Sequence, residues 1–369
     1  MAAWVRNPYT KGQIDRAGQL LANWWVNLGG SLQDEPLASA FGTVESWRTS
    51  HSFPLSVFHR VLRRHAKEID STSITAKRLK RLSSVMNKLA REPNMKFSQM
   101  QDLGGCRAIV ANVPAVYKLC ERYLKPEADN SPPPWTAKCY DYIKTPKVDG
   151  YRGIHVVGRY TARSGKSIPW NGYRIEIQIR SRMQHVFATT VETVTTFTRY
   201  PLKFGAGPQH WRRFFSLMGS VMATHEGTPL VAGTPTDLEE LIEELWQIVR
   251  TLNVRHRLAR WTKALRQLRN QDIEGYTWLL IVLNLANTTV KVTGFADPKE
   301  ASSAIAEIEK AQRKDVDAVL VWVESITDLK EAYPNYYADT REFLTIMNAS
   351  VAFFMRRRKH THENAIRRI

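Results

Sequence analysis

Between Tyr173 and Arg180 the chain alternates without a break, with Tyr173, Ile175, Ile177 and Ile179 on one side and Arg174, Glu176, Gln178 and Arg180 on the other. A period of two sends successive side chains to opposite faces of an extended chain, so this is a strand with one apolar and one polar face. Such a strand must pair with neighbours to satisfy its backbone donors and acceptors, and the sheet it joins buries the isoleucines. Glu176, Gln178 and Arg180 then share the opposite face. Three polar groups on one face of one strand make a candidate site.

The surrounding pattern fits a mixed α/β fold, a central mixed β-sheet flanked by helices. Apolar spacings of three and four predict helices over 14–28 and 55–69. Short apolar runs with turn signals follow: a strand over 106–111, a helix near 115–123, a Pro132-Pro133-Pro134 loop, and strands over 140–143 and 153–160. Helices resume over 183–198 and 211–225. A Gly/Thr/Pro stretch over 227–237 then reads as a linker, dividing a domain over 1–226 from a small α+β module over 238–369. Within that module the pattern predicts helices over 238–251, 254–269 and 298–312, strands over 277–283, 289–292 and 318–324, and two short terminal helices.

Charge is distributed unevenly. Of the net +18, residues 1–209 carry 31 basic and 15 acidic side chains, and residues 210–369 carry 22 and 20. An excess confined to the front implies a polyanionic partner, such as nucleotide phosphates or a nucleic acid. Arg60, Arg63, Arg64 and Lys67 recur at helical spacing and form either a solvated face or a phosphate-contacting one. Cys106, Cys120 and Cys139 stand in no metal-binding spacing, which supports neither a disulfide framework nor zinc and fits a reducing cytoplasm. No segment has the length and apolarity of a membrane span, and the N-terminus has no secretory pattern.

Three clusters carry chemistry. Arg78, Lys80 and Ser84 offer guanidinium, ammonium and hydroxyl donors suited to phosphates, although a basic loop has the same composition. Asp102 precedes Gly104-Gly105 and the strand containing Arg107; a carboxylate there can hold Mg²⁺ if a second converges from a neighbouring strand, and Glu176 is the natural second. The third pairs Tyr151-Arg152-Gly153-Ile154-His155 with Glu176-Ile177-Gln178-Ile179-Arg180.

In order and content these clusters resemble the synthetase domain of the RelA/SpoT family of nucleotide pyrophosphokinases over residues 78–192. Asp141-Tyr-Ile-Lys-x-Pro-Lys147, Gly150-Tyr151-Arg-x-x-His155, His185 and Glu192 complete the likeness. The resemblance implies the family fold and ATP as pyrophosphate donor, held by Arg78, Lys80 and Ser84 with Arg107 as a further candidate. It implies Mg²⁺ on Asp102 and Glu176, Glu176 as a possible acceptor of the hydroxyl proton, and an acceptor stacked on Tyr151 beside His155 and Gln178. Toxic relatives transfer pyrophosphate to the 3′ terminal adenosine of tRNA; other members use guanosine or adenosine nucleotides to make (p)ppGpp or (p)ppApp. The basic front favours tRNA, with Arg60, Arg63, Arg64, Lys67, Lys144, Lys147 and Arg152 as its expected contacts. The back half resembles the antitoxin part of fused toxin-antitoxin proteins of the CapRel type, a zinc-finger-like module without its cysteines. That likeness implies autoinhibition through Tyr333 and Tyr336 and release by a phage structural protein such as a major capsid protein. Read from the residues alone, the two tyrosines could equally pack on their own module.

Overall fold

The computed structural model describes residues 4–27, 35–80, 82–124, 135–162, 165–198, 202, 206–259, 278–284, 289–310, 316–322 and 340–352. The chain divides into two compact units, the first comprising residues 1–141 and 153–182, the second 142–152 and 183–369.

In the first unit, α1 (Lys11–Asn27), α2 (Glu35–Ser50) and α3 (Ser52–Ile69) precede β1 (Ile74–Leu79), α4 (Leu82–Arg91), β2 (Gly104–Val110), α5 (Val113–Leu124), β3 (Trp135–Asp141), β4 (Ile154–Tyr160) and β5 (Arg174–Ser181). The strands form one mixed sheet in the order β1-β2-β5-β4-β3. β2 and β5 are parallel and every other pair is antiparallel. The register places Cys106 beside Ile177 and Ile177 beside Val156, so the central strands share one apolar face. Ile175, Ile177 and Ile179 are wholly buried there. α3 covers this face: the Cys106 thiol donates to the Leu55 carbonyl at 3.8 Å, and a side chain on Gly158 would collide with the Phe58 ring. α5 lies on the same side, where Cys120 and Cys139 bring their sulfurs within 3.5 Å as free thiols. The polar face carrying Glu176 is turned the other way.

The second unit is built around a helical core. β5 runs directly into α6 (Arg182–Thr198), followed by α7 (Gln209–Glu226), α8 (Leu238–Thr251), α9 (254–259) and α11 (341–352). Phe214, Phe215, Met218, Leu245, Phe343 and Met347 fill that core. β6 (Trp278–Asn284), β7 (Thr289–Phe295) and β8 (Val316–Trp322) make an antiparallel sheet in the order β7-β6-β8, packed against α10 (Pro298–Lys310).

The stretch over 227–237 is not the tether its composition suggests. Val231 is buried and donates its N–H to the Ser220 hydroxyl at 2.9 Å, and Asp237 caps α8 through the N–H groups of Glu239 and Glu240. Helices on both sides of it share one core, and the two compact units divide at 141/142, 152/153 and 182/183. Among the described residues no helix is long and apolar enough to cross a membrane.

Candidate active site

The sheet register assembles the polar face. Arg78 on β1 lies opposite Gly105 on β2, which lies opposite Glu176 on β5. One row further along, Arg107 sits beside Gln178, and Gln178 beside His155. Gly105 leaves a gap in its row, since a Cβ there would meet nothing nearer than backbone oxygens at 3.9 and 4.0 Å. Arg78 and Glu176 therefore flank an open strip two strand spacings wide, roughly 10 Å.

Asp102 stands just ahead of β2. The chain leaving β1 is pinned to it, because the N–H of Lys80 donates to the Leu103 carbonyl at 2.7 Å. Lys80 Nζ then reaches Asp102 Oδ2 at 2.7 Å, and Lys88 of α4 reaches Oδ1 at 3.1 Å. Ser84 lies one helical turn before Lys88 on the same face of α4. Lys88 also lines a cavity of about 580 Å³ together with Lys96, Gln99, Gln101 and Arg174.

Glu176 is held by a relay of donors. Gln178 Nε2 donates to its Oε2 at 2.8 Å, the Gln178 carbonyl oxygen accepts from the buried Arg180 at 3.0 Å, and His155 Nδ1 lies 3.0 Å from Oε1. Burial alone would push the Glu176 carboxyl up; the hydrogen bond and charge of His155, the Gln178 amide and the Lys80 ammonium outweigh it and bring the pKa down to about 2. Lys80 thus acts on both acids, salt-bridged to Asp102 and close enough to Glu176 to depress its pKa.

Two carboxylates around one ammonium are a donor set that suits a hard divalent cation, because Mg²⁺ binds through one or two carboxylates and takes its remaining oxygens from phosphates and water. The open strip at Gly105 supplies the room. Asp102 and Glu176 fit Mg²⁺ on these grounds.

Tyr151 belongs to the second unit, on the loop over 142–152. Gly150 has φ +87°, and a side chain there would run into the Phe215 carbonyl and lie 2.7 Å from the Phe187 ring, so only glycine can precede Tyr151 in this arrangement. The Tyr151 N–H donates to Asp149 Oδ1 at 3.0 Å, and the ring meets Tyr142 edge-on at 6.0 Å. Lys147 Nζ sits 4.4 Å from the Tyr142 ring centroid and 5.2 Å from that of Tyr151. Lys144 and Lys147 are exposed. His185 and Glu192, seven residues apart, share a face of α6.

Arg152 is a correction. Expected on an RNA-binding surface, it is 1% exposed, donates to the Gly219 carbonyl at 2.5 Å and lies 3.9 Å from Glu226. Burial lowers its pKa to about 10 against the opposing pull of Glu226. A guanidinium walled in this way holds the loop to α7 and cannot reach an RNA backbone. The α3 stripe is a separate case. Arg60, Arg63, Arg64 and Lys67 are exposed, but α3 covers the apolar face, so they lie across the sheet from Glu176 instead of beside it. Tyr333, Tyr336 and the basic tail Arg356–Lys359 lie outside the described residues.

Lys88 is the site residue that the sequence did not mark, and the four-residue step from Ser84 to Lys88 was the available signal; Arg180 lies on the face that the strand alternation assigned it.

Residues 77–200 match the family model described as the region found in RelA and SpoT proteins. This stretch carries the likeness to RelA/SpoT-type pyrophosphokinases. No curated protein matches the chain in sequence. Among solved structures it is similar to small alarmone synthetase 1 from Bacillus subtilis bound to its product pppGpp, at 18% identity and TM-score 0.42 over 50% of this chain and 92% of that one. Small alarmone synthetase 2 from Bacillus subtilis matches at 19% and 0.41, over 50% and 94%. A GTP pyrophosphokinase family protein from Streptococcus pneumoniae matches at 21% and 0.39, over 48% and 86%.

Proposed function

We propose, taking residues 77–200 as a RelA/SpoT-type synthetase region, that this chain transfers the β,γ-pyrophosphate of ATP to a nucleotide hydroxyl, releasing AMP. The observation that carries the reading is the convergence of Asp102 and Glu176 on Lys80, in line with Arg78 across the gap at Gly105. Arg78, Lys80, Ser84 and Lys88 supply guanidinium, ammonium and hydroxyl donors to the triphosphate, with Arg107 one row further on. Asp102 and Glu176 would hold Mg²⁺, which when bound neutralises charge on the transferring phosphates. Lys80 is placed to move from the carboxylates to the phosphate oxygens as they arrive. Gln178 and His155 fix the Glu176 carboxylate in one orientation. A pKa of about 2 suits a ligand that stays ionised better than a base poised near neutrality. Tyr151 offers a ring for the acceptor base to stack on, with Lys147 bringing positive charge beside it.

The acceptor we propose is the 3′ terminal adenosine of tRNA, which would block translation in the cytoplasm. The charge of the front half and the exposure of Lys144 and Lys147 near Tyr151 support it. A free guanosine or adenosine nucleotide is the second reading, and the position of the α3 stripe across the sheet favours it, because a small acceptor needs only a few cations near Tyr151. Incubation with ATP labelled at the γ-phosphate and either GDP or bulk tRNA separates the two: label on tRNA supports the first, label on guanosine nucleotide the second, and label on neither with ATP intact sinks both.

We further propose that the C-terminal module restrains the transferase through Tyr333 and Tyr336 and that a phage structural protein such as a major capsid protein releases it, a shift between closed and open populations. The likeness to CapRel-type fusions supports this. Expression tests it: the full chain should be harmless to a host, whereas a truncation near residue 270 should arrest translation. A harmless but folded and active truncation would remove the restraint from the account.

A further inference from the structure

An aromatic surface of the first unit lies away from the site just described. Trp4, Arg6, Phe53, Lys166, Ser167 and Trp170 line a cavity of about 560 Å³. The Phe53 and Trp170 ring centroids lie 4.3 Å apart with the planes tilted by 35°, and Trp4 meets Phe53 edge-on at 5.7 Å. The Trp170 indole N–H is satisfied by the Val5 carbonyl at 3.3 Å, which leaves its ring as wall, and the Arg6 guanidinium stands 5.7 Å over that ring. Trp4 is 48% exposed, with Val5 at 47% and Ile168 at 59% nearby. Among the described residues the lining carries two cations and a hydroxyl and no carboxylate. Flat apolar walls with a cationic rim suit a planar ring that carries an anionic group, the description of a nucleotide.

The helix that supplies Phe53 also carries a row of cations. Phe53 is the second residue of α3, and Arg60, Arg63, Arg64 and Lys67 follow it at spacings that keep them on one side of the helix, all four exposed. From Phe53 to Lys67 the helix rises about 21 Å. Glu68 faces Arg64 at 3.9 Å, the one acid on this stretch among the described residues. We propose that this surface binds single-stranded nucleic acid, one unpaired base entering the aromatic cavity while the backbone follows the α3 cations. It explains two features the transfer chemistry leaves unused, an aromatic cavity edged by the exposed Trp4 and a basic stripe on the helix layer remote from Glu176. The proposal does not rest on the reaction assigned to that site.

The test uses the full chain and a fluorescein-labelled 12-nucleotide oligouridylate, read by anisotropy at two salt concentrations. Trp4→Ala should weaken binding about 5- to 100-fold through lost stacking, the same way at both salts. Arg60→Glu with Arg63→Glu should weaken it and flatten its salt dependence. Lys166→Glu, a second exposed position, covers the case in which Trp4→Ala lowers the melting temperature. Oligonucleotide carrying 4-thiouridine should crosslink to peptides containing residues 4–6, 53 or 166–170. Affinity within twofold of the parent chain in all three variants, or crosslinks only to other segments, overturns the proposal. A fluorescent mononucleotide provides the other arm: if it binds as tightly as the strand and the α3 variant changes nothing, the cavity takes free nucleotides and the strand path along α3 is refuted.

Discussion

Replacing Glu176 by Gln keeps the shape of the side chain and removes the charge on which the site is built. The carboxyl falls from an ordinary value of 4.5 to about 2 in the folded protein, held by His155, Gln178 and Lys80. That gap corresponds to about 3 kcal/mol of preference for the ionised form. Because the folded value is depressed, the stabilisation is present in full above pH 4.5 and is lost as pH falls through 2. The contribution should shrink by about 1 kcal/mol at pH 4 and about 2 kcal/mol at pH 3. Urea denaturation of the parent chain and the Glu176→Gln variant at pH 7, 4 and 3 measures this directly. The variant should be less stable by about 1 to 3 kcal/mol at pH 7, since the amide can still accept one hydrogen bond. The difference between the two proteins should narrow towards pH 3. A difference that stays constant across the range would refute the idea that the ionised carboxylate is what His155, Gln178 and Lys80 hold.

Gly150→Ala should lower the thermal midpoint by several degrees, because the added methyl strikes the Phe215 carbonyl and the backbone has φ +87°, a combination costing about 1–3 kcal/mol; an unchanged melt would mean the loop is not packed as described. Arg152→Met removes the guanidinium 3.9 Å from the Glu226 carboxylate, itself 7% exposed and still hydrogen-bonded by Gln184, and should destabilise by about 3–5 kcal/mol, with Glu226→Leu in the same chain recovering part of it in denaturation curves. Arg63→Ala with Arg64→Ala should leave pyrophosphate transfer to a free nucleotide within about twofold, since α3 lies across the sheet from Glu176; a larger fall in initial rate would place those arginines at the reaction after all.

What the amino-acid order made legible was local. The alternation around Glu176 predicted β5 to within a residue at each end and placed Gln178 and Arg180 on its face, because a period of two leaves one choice of side. β1 escaped notice because Ile74–Leu79 is an edge strand carrying Lys77 and Arg78, and charge on an edge hides the apolar alternation. α4 is only ten residues long, and its start so close to Lys80 made the segment read as one basic stretch. Lys88 joins the site only because α4 packs so as to bring it to Asp102, a tertiary event no spacing announces. Arg152 misled for the same reason: flanked by Tyr151 and Gly153 it has the look of a surface cation, and its partners are Gly219 and Glu226, far along the chain. The α3 stripe was correctly read as exposed, but which side of a sheet a helix covers is set by topology.

The account stands on Asp102 and Glu176 acting together on one divalent cation. Mn²⁺ titration followed by electron paramagnetic resonance, on the parent chain and on Asp102→Asn and Glu176→Gln with a non-hydrolysable ATP analogue present, reads that directly. The expectation is one Mn²⁺ bound by the parent chain and affinity weakened at least about tenfold by either substitution alone, as loss of one carboxylate ligand would give. Binding that vanishes with one substitution and is untouched by the other would mean that the two carboxylates do not share an ion.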